Sequence, residues 1–232
     1  MQTRVAVITG ASRGIGLATA LRLAKAGWTI VAAARHADDL AAAAEQVRGV
    51  GGDCVAVPLD LSRPPEARRL IEAAVERTGR LDALINNAGC APLAPLDRLT
   101  DADFEAVTAL NMGAVFQTCR AAWPVLCRQG GGVIVNVSSL ASVDPFPGFS
   151  LYGASKAWVN LFSRSLAAEG KPHGIRVFAV APGAVETRLL RGLFPNFPAD
   201  QTLAPDDVAA VIEAACDPRV ARCSGETLFV RP

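Results

Sequence analysis

No window of this 232-residue chain approaches the roughly 18 consecutive apolar residues that a membrane span needs, although 51% of its residues are hydrophobic. The apolar residues must be spread through a buried core, and no membrane partner is expected. Excess charge of either sign is also missing, with 23 basic residues against 22 acidic ones and a net charge of +1. A nucleic-acid binder needs a basic stripe to release counterions from phosphates, so nucleic acid is not an expected partner. The six cysteines (Cys54, Cys90, Cys119, Cys127, Cys216 and Cys223) contain no C-x-x-C pair and have no histidine pair nearby. Zinc-knuckle and thioredoxin-type chemistry are thereby disfavoured, and the cysteines read as reduced core residues. The two histidines, His36 and His173, lie in neither a Ser-His-acid nor a metal-ligand spacing, so no metal is expected. The apolar run Val5–Ile8 breaks at Thr9-Gly10, too early for the core of a signal peptide, which points to a cytoplasmic location. With no repeat, no low-complexity linker and no shift in composition, residues 1–232 read as a single domain.

Short β-branched runs alternate with longer helical stretches. Val5–Thr9, Thr29–Ala34, Cys54–Val57, Ala83–Asn86, Val133–Ser138, Arg176–Ala181 and Thr227–Val230 are continuously apolar rather than alternating, as strands buried on both faces should be. Helices are predicted at Ile15–Ala26, Asp38–Val50, Pro64–Thr78, Asp101–Leu126, Tyr152–Glu169 and Asp206–Asp217. Alternation of this kind predicts an α/β fold, a doubly wound, Rossmann-type parallel sheet of about seven strands with helices on both faces. Residues 188–205, rich in proline and phenylalanine, read as an irregular substrate lid.

At the end of the first strand stands Thr9-Gly10-Ala11-Ser12-Arg13-Gly14-Ile15-Gly16. Glycines there let the chain turn tightly and let backbone N–H groups approach a pyrophosphate resting on the N-terminus of the next helix. Further motifs follow in order: Asp60-Leu61, Asn86-Asn87-Ala88-Gly89, Asn111, Ser138-Ser139, Tyr152-x-x-x-Lys156 and Pro182-Gly183-Ala184-Val185-Glu186-Thr187. The G-x-x-x-G-x-G spacing after a threonine, with these motifs spread over nearly the whole chain, resembles the short-chain dehydrogenase/reductase family. The overall pattern is similar to that of 3-oxoacyl carrier-protein reductases. A chain of this length has no room for the separate substrate lobe of related epimerases and dehydratases.

Tyr152 is the only tyrosine, and Lys156 follows one helical turn later, which puts the two Cβ atoms about 5–6 Å apart. Lowering a phenol pKa by about 3 units takes about 4 kcal/mol of preferential phenolate stabilisation, and a lysine ammonium beside an oxidised nicotinamide is a suitable source. Ser139 at a strand end can donate to a substrate oxygen as it gains charge. Ser138 is the neighbouring candidate, and the resemblance favours Ser139. The resemblance further implies that Asn111 holds a water linking Lys156 to solvent, that Lys156 binds the nicotinamide ribose, and that Asn111, Ser139, Tyr152 and Lys156 form a complete catalytic tetrad. Its alternative is a cofactor-binding sensor or scaffold that does no chemistry.

An acid at the end of the second strand would select NAD by accepting from the adenosine ribose, whereas arginine would favour the 2′-phosphate of NADP. This chain carries Ala34 at that place, followed by Arg35 and His36. Arg13 supplies a second cation, so NADP(H) is expected in preference to NAD(H), with His36 as an extra contact. By the resemblance, Gly10, Ser12, Gly14, Ile15 and Gly16 hold the pyrophosphate, Asp60 and Leu61 flank the adenine, and Asn87, Ala88 and Gly89 line the ribose side. Pro182, Gly183, Val185 and Thr187 complete the nicotinamide end. Leu140, Phe146, Phe149, Ala184, Leu189 and Phe194, with Val143, Leu190 and Phe197, form an apolar candidate wall that suits an uncharged carbonyl or alcohol. Arg188 and Arg191 read either as solvated cations or as anchors for an acidic substrate or carrier protein. Compared with the family pattern, the segment after Thr187 and the tail after the last strand are short. The resemblance accordingly implies a more open pocket, and it implies a homodimer or homotetramer paired through the helices at 101–126 and 152–169.

Overall fold

Seven strands form in the computed structural model of the chain, which describes residues 3–232. They are β1 (Val5–Thr9), β2 (Thr29–Ala34), β3 (Cys54–Pro58), β4 (Ala83–Asn86), β5 (Gly132–Val137), β6 (Ile175–Pro182) and β7 (Thr227–Val230). All pair in parallel, in the order β3-β2-β1-β4-β5-β6-β7. The helices are α1 (Gly14–Lys25), α2 (Ala37–Gly49), α3 (Pro64–Thr78), α4 (Asp101–Val107), α5 (Ala114–Gln129), α6 (Ser150–Gly170), α7 (Arg188–Leu193) and α8 (Pro205–Cys216). This is the doubly wound, single-domain architecture that the alternation predicts.

Successive strand residues point to opposite faces, which explains the continuous apolar runs. Ala6, Ile8, Ile30 and Ala32 enter a core shared with Leu23 of α1 and with Val208 and Ile212 of α8. Val5, Val7, Val31 and Ala33 enter a second core with Leu70 and Ile71 of α3 and Leu126 of α5. The strand order reverses between β1 and β4, and a crevice opens at such a switch point beyond the carboxyl ends of the strands. The glycine turn follows β1 and the Asn87-Ala88-Gly89 segment follows β4, so both motifs lie at that crevice.

Two expectations need correction. The single helix predicted over Asp101–Leu126 is divided into α4, a π-helical stretch at Thr108–Gly113, and α5. The apolar periodicity runs through the junction and hides it. The stretch centres on Asn111, whose side chain bonds outside the helix to Cys90 and Ser155, and π-helical turns of this kind are frequent where a side chain is committed to a site. Residues 188–205 are also more ordered than predicted, with α7, a 3-10 turn at Ala199–Gln201 and a parallel bridge between Val185 and Leu203. Thr187 is the cause at the start of α7, because its Oγ1 accepts from Leu190 N at 3.2 Å as a helix cap. Among the described residues no helix is long and apolar enough to cross a membrane. No group of three or more His, Cys, Asp or Glu side chains among them could hold a metal, and the six cysteines are free.

Candidate active site

The phosphate cradle is built by conformation before any side chain matters. Gly10 and Gly14 adopt φ values of 63° and 55°, the left-handed region that favours glycine. A Cβ on Gly16 would lie 2.3 Å from Gly10 O and 2.6 Å from Asn87 Nδ2, so the helix can start this close to the turn only without a side chain. Arg13 occupies the cap position of α1, yet no side chain caps that end and no acid lies in its first turn. The leading N–H groups, with Ser12 and Ile15 beside them, thus face the crevice as donors suited to an anion. These features fit a dinucleotide pyrophosphate.

Thr9, just ahead of the glycines, fastens the two loops of the crevice together. Its buried Oγ1 accepts from Asn87 N at 2.9 Å and from Ala88 N at 3.0 Å. Asn87 Nδ2 in turn donates to Thr9 O and Gly10 O at 3.0 and 3.1 Å. The Asn87 amide therefore acts as a brace for the glycine turn. A threonine before the first glycine is the only local sign of this role, because its partners lie 78 and 79 residues away. Thr9→Val keeps the shape and leaves two N–H groups without their acceptor. Each such loss costs about 1–3 kcal/mol when buried, so a melting temperature lower by about 4–24 °C is expected for a domain of this size, measured by circular dichroism with cofactor absent.

At the adenosine end, Ala34 closes β2 and Arg35 follows it on the surface. Arg35 Nε and Nη2 both lie 3.4 Å from His36 Nε2. Across the mouth, Arg13 Nη1 stands 4.0 Å from Asp39 Oδ2, with both side chains about half exposed. Asp60 Oδ1 accepts from Ser62 N and Ser62 Oγ at 3.0 and 2.8 Å. These bonds, with Arg35 and Arg63 nearby, hold its carboxyl below the usual carboxylate range. Leu61 is buried beside it.

The catalytic candidates converge where β5, α6 and the Gly89 segment meet. Ser139 caps the 3-10 turn after β5, its Oγ accepting from Ala141 N at 3.2 Å, and its hydroxyl lies close enough to the Tyr152 phenol to influence its pKa. Burial pushes the phenol pKa up and the Ser139 contact draws it back, so without cofactor Tyr152 is a protonated acid. Lys156 Nζ lies 5.7 Å from the Tyr152 ring centroid and donates to Val137 O at 2.8 Å. Burial lowers the ammonium pKa from 10.5 to about 8. A Cβ on Gly89 would lie 3.2 Å from Asn111 Oδ1 and 3.6 Å from Lys156 Nζ, so the glycine keeps this corner open.

Asn111 is fully buried, and its side chain is committed on three sides. Its Oδ1 accepts from Cys90 N at 2.9 Å, and its Nδ2 donates to Cys90 O at 2.9 Å and to Ser155 Oγ at 3.0 Å. Ser155 Oγ donates to Tyr152 O at 2.7 Å. Asn111 therefore fixes both the Gly89-Cys90 segment and the first turn of α6. Ser138, the alternative donor, spends its hydroxyl on Lys156 O at 3.0 Å and is buried, which leaves Ser139 facing the phenol. Ser138 and Ser155 position the Tyr152–Lys156 turn, a role that only the three-dimensional contacts reveal.

Pro182 ends β6, and Gly183 N donates to Val230 O at 2.9 Å. Ala184 O and Glu186 N are paired with Leu203 across the bridge at Val185. A Cβ on Gly14 would lie 3.2 Å from Thr187 Cγ2, so this loop reaches back to the glycine turn. Of the predicted wall, Phe146, Phe149 and Phe194 form one aromatic cluster with Tyr152. Leu140 lies near Gly183, and Leu189 is exposed on α7.

The family model for short chain dehydrogenases matches residues 4–196. A 3beta-hydroxysteroid dehydrogenase 1 of Eggerthella lenta is 35% identical over 244 aligned residues, covering 99% of this chain and 93% of the relative. A 3-oxoacyl-[acyl-carrier-protein] reductase of Synechocystis sp. is 34% identical over 237 residues, covering 99% and 96%. Among solved structures, a 3-ketoacyl-(acyl-carrier-protein) reductase from Brucella melitensis complexed with NADH is 31% identical. It superposes with a TM-score of 0.91, covering 99% of this chain and 97% of that one.

Proposed function

The chain belongs to the short-chain dehydrogenase/reductase family, and on that premise we propose that it is an NADP(H)-dependent reductase of uncharged ketones. The family makes it an oxidoreductase acting on CH–OH groups with a nicotinamide cofactor. The observation that carries the finer reading is the buried Tyr152 phenol beside Ser139, with the Lys156 ammonium 5.7 Å from its ring centroid. A protonated phenol beside a second hydroxyl is suited to deliver a proton to a carbonyl oxygen.

Bound cofactor supplies the hydride to the carbonyl carbon. Ser139 Oγ donates to the substrate oxygen and polarises it. Tyr152 Oη donates the proton that the oxygen needs as it becomes a hydroxyl. Lys156 Nζ, with one donor spent on Val137 O, directs the others toward the nicotinamide ribose and the phenolate left behind. Asn111 fixes the segments on either side of Lys156, along the path by which a proton from solvent replaces the one consumed.

The 2′-phosphate preference rests on Arg35 and Arg13 at the adenosine end, where β2 closes on Ala34 and offers no carboxylate to the ribose. The test compares kcat/KM for NADPH and NADH on one ketone. NADPH should be preferred, and Arg35→Asp should lower the NADPH-to-NADH ratio about a hundredfold, since a charge-assisted hydrogen bond is worth about 1.5–3 kcal/mol and the new carboxylate adds repulsion. The Brucella relative holds NADH, and a wild-type preference for NADH here would refute the NADP(H) assignment.

A further inference from the structure

One side chain closes the segment after Thr187 into a loop. Arg191 Nε and Nη2 donate to Glu186 Oε1 and Oε2 at 2.8 and 2.5 Å, a bidentate pair. Its Nη1 donates to Pro195 O at 3.2 Å and to Phe197 O at 2.7 Å. Glu186, two residues ahead of α7, is thereby tied to Pro195 and Phe197 beyond it. Arg191 is neither a loose surface cation nor an anchor for an acidic substrate or carrier protein, because its guanidinium is engaged along all three nitrogens.

Phe194 lies between these ties. Its ring stands 5.9 Å from Phe149 at an interplanar angle of 73°, 6.5 Å from Phe146 at 63°, and 6.2 Å from Phe197 at 61°. These are tilted or edge-on contacts of the kind that aromatic rings favour. Phe149 is 6% exposed, and its ring lies 5.2 Å from Tyr152. A continuous line of contact therefore runs from the Arg191 clasp through Phe194 and Phe149 to the proton donor. Phe146 and Val143, in the loop between Ser139 and Tyr152, are 58% and 59% exposed, an apolar rim presented to solvent.

We propose that Phe194, held by Arg191, is the specificity-determining residue of this site, and that the substrate is an uncharged ketone or secondary alcohol built on a ring system. The inference rests on the proposed hydride transfer and names its substrate class. A wall of rings fixed before binding rewards a rigid, flat, apolar partner, which has little conformational freedom to lose. A flexible 3-oxoacyl thioester would lose more freedom, and its acidic carrier would not find Arg191 available.

Initial rates with NADPH and NADH should be measured on 1-decalone, 2-octanone and an acetoacetyl thioester. The bicyclic ketone should have a kcat/KM at least about tenfold above either open-chain substrate. Phe194→Ala should lower that value about tenfold, chiefly through KM, and lower the value for 2-octanone by clearly less. Arg191→Leu, which retains every ring, should reproduce the loss, and the double variant should be no worse than Phe194→Ala alone. A preference for the thioester, or an equal effect of Phe194→Ala on decalone and octanone, overturns the inference while leaving hydride transfer intact. If no substrate is turned over although cofactor binds, the hydride-transfer reading fails. Saturation-transfer NMR with decalone then decides the ring site separately. A transfer signal that disappears in Phe194→Ala supports the ring site, and a signal unchanged in that variant or absent in the wild type overturns it.

Discussion

Tyr152→Phe should lower kcat by about 10²–10⁴-fold, the usual contribution of a positioned proton donor, and leave the dissociation constant for NADPH within about twofold. The substitution removes one oxygen and keeps the ring that packs against Phe149 at 5.2 Å, so the fold and the aromatic wall should survive. Stopped-flow turnover with a ketone and NADPH fluorescence titration measure the two quantities. No other tyrosine exists in the chain to take over, and the aliphatic hydroxyl of Ser139 is a much weaker acid than a phenol. A sensor or scaffold would behave differently, because its function would survive the loss of the phenol. Turnover unchanged in Tyr152→Phe would remove the residue from the reaction.

Lys156→Met should abolish most turnover and yet make the cofactor-free fold more stable. Lys156 is 5% exposed, and burial lowers its pKa from 10.5 to about 8, a difference worth about 3 kcal/mol against the charged form. Below pH 8 the side chain is charged in both folded and unfolded protein, and the folded state carries the full penalty. Between pH 8 and 10.5 the folded protein holds fewer protons than the unfolded one, so stability rises with pH as this penalty disappears. Methionine removes the penalty but leaves Val137 O without its 2.8 Å donor, which takes back about 1 kcal/mol. The variant should thus be about 2 kcal/mol more stable near pH 7, and the advantage should vanish by about pH 10.5. Urea melts of both proteins across this range test the difference; a variant less stable at pH 7 would show that the buried ammonium stabilises the fold. In the proposed reaction this cost has a use, since the same ammonium lies 5.7 Å from the Tyr152 ring centroid.

The extent to which this site is legible in the chain follows from how local each signal is. Strand and helix alternation, the glycine turn and the Tyr152–Lys156 spacing act over a few residues, where backbone freedom and helical periodicity leave a direct trace. That is why the parallel sheet, its single domain and the adjacency of Tyr152 and Lys156 follow from residue order. The π-helical stretch around Asn111 leaves no such trace, because its cause is a set of hydrogen bonds to Cys90 and Ser155, 21 and 44 residues away. The role of Thr9 is invisible for the same reason, its partners being Asn87 and Ala88. So is the difference between Ser138 and Ser139, since only the fold shows that the Ser138 hydroxyl is spent on Lys156 O.

The same distinction separates the chemistry from its selectivity. Residue types and short spacings are enough to specify a phosphate cradle and a proton donor, since each is formed by neighbours in sequence or by one helical turn. The clasp of Arg191 on Glu186, Pro195 and Phe197, and the rings it gathers over Tyr152, depend on where β6 delivers its loop relative to α6. A guanidinium reads as a solvated charge in a sequence, and only the folded loop shows it closing Glu186 onto Pro195 and Phe197.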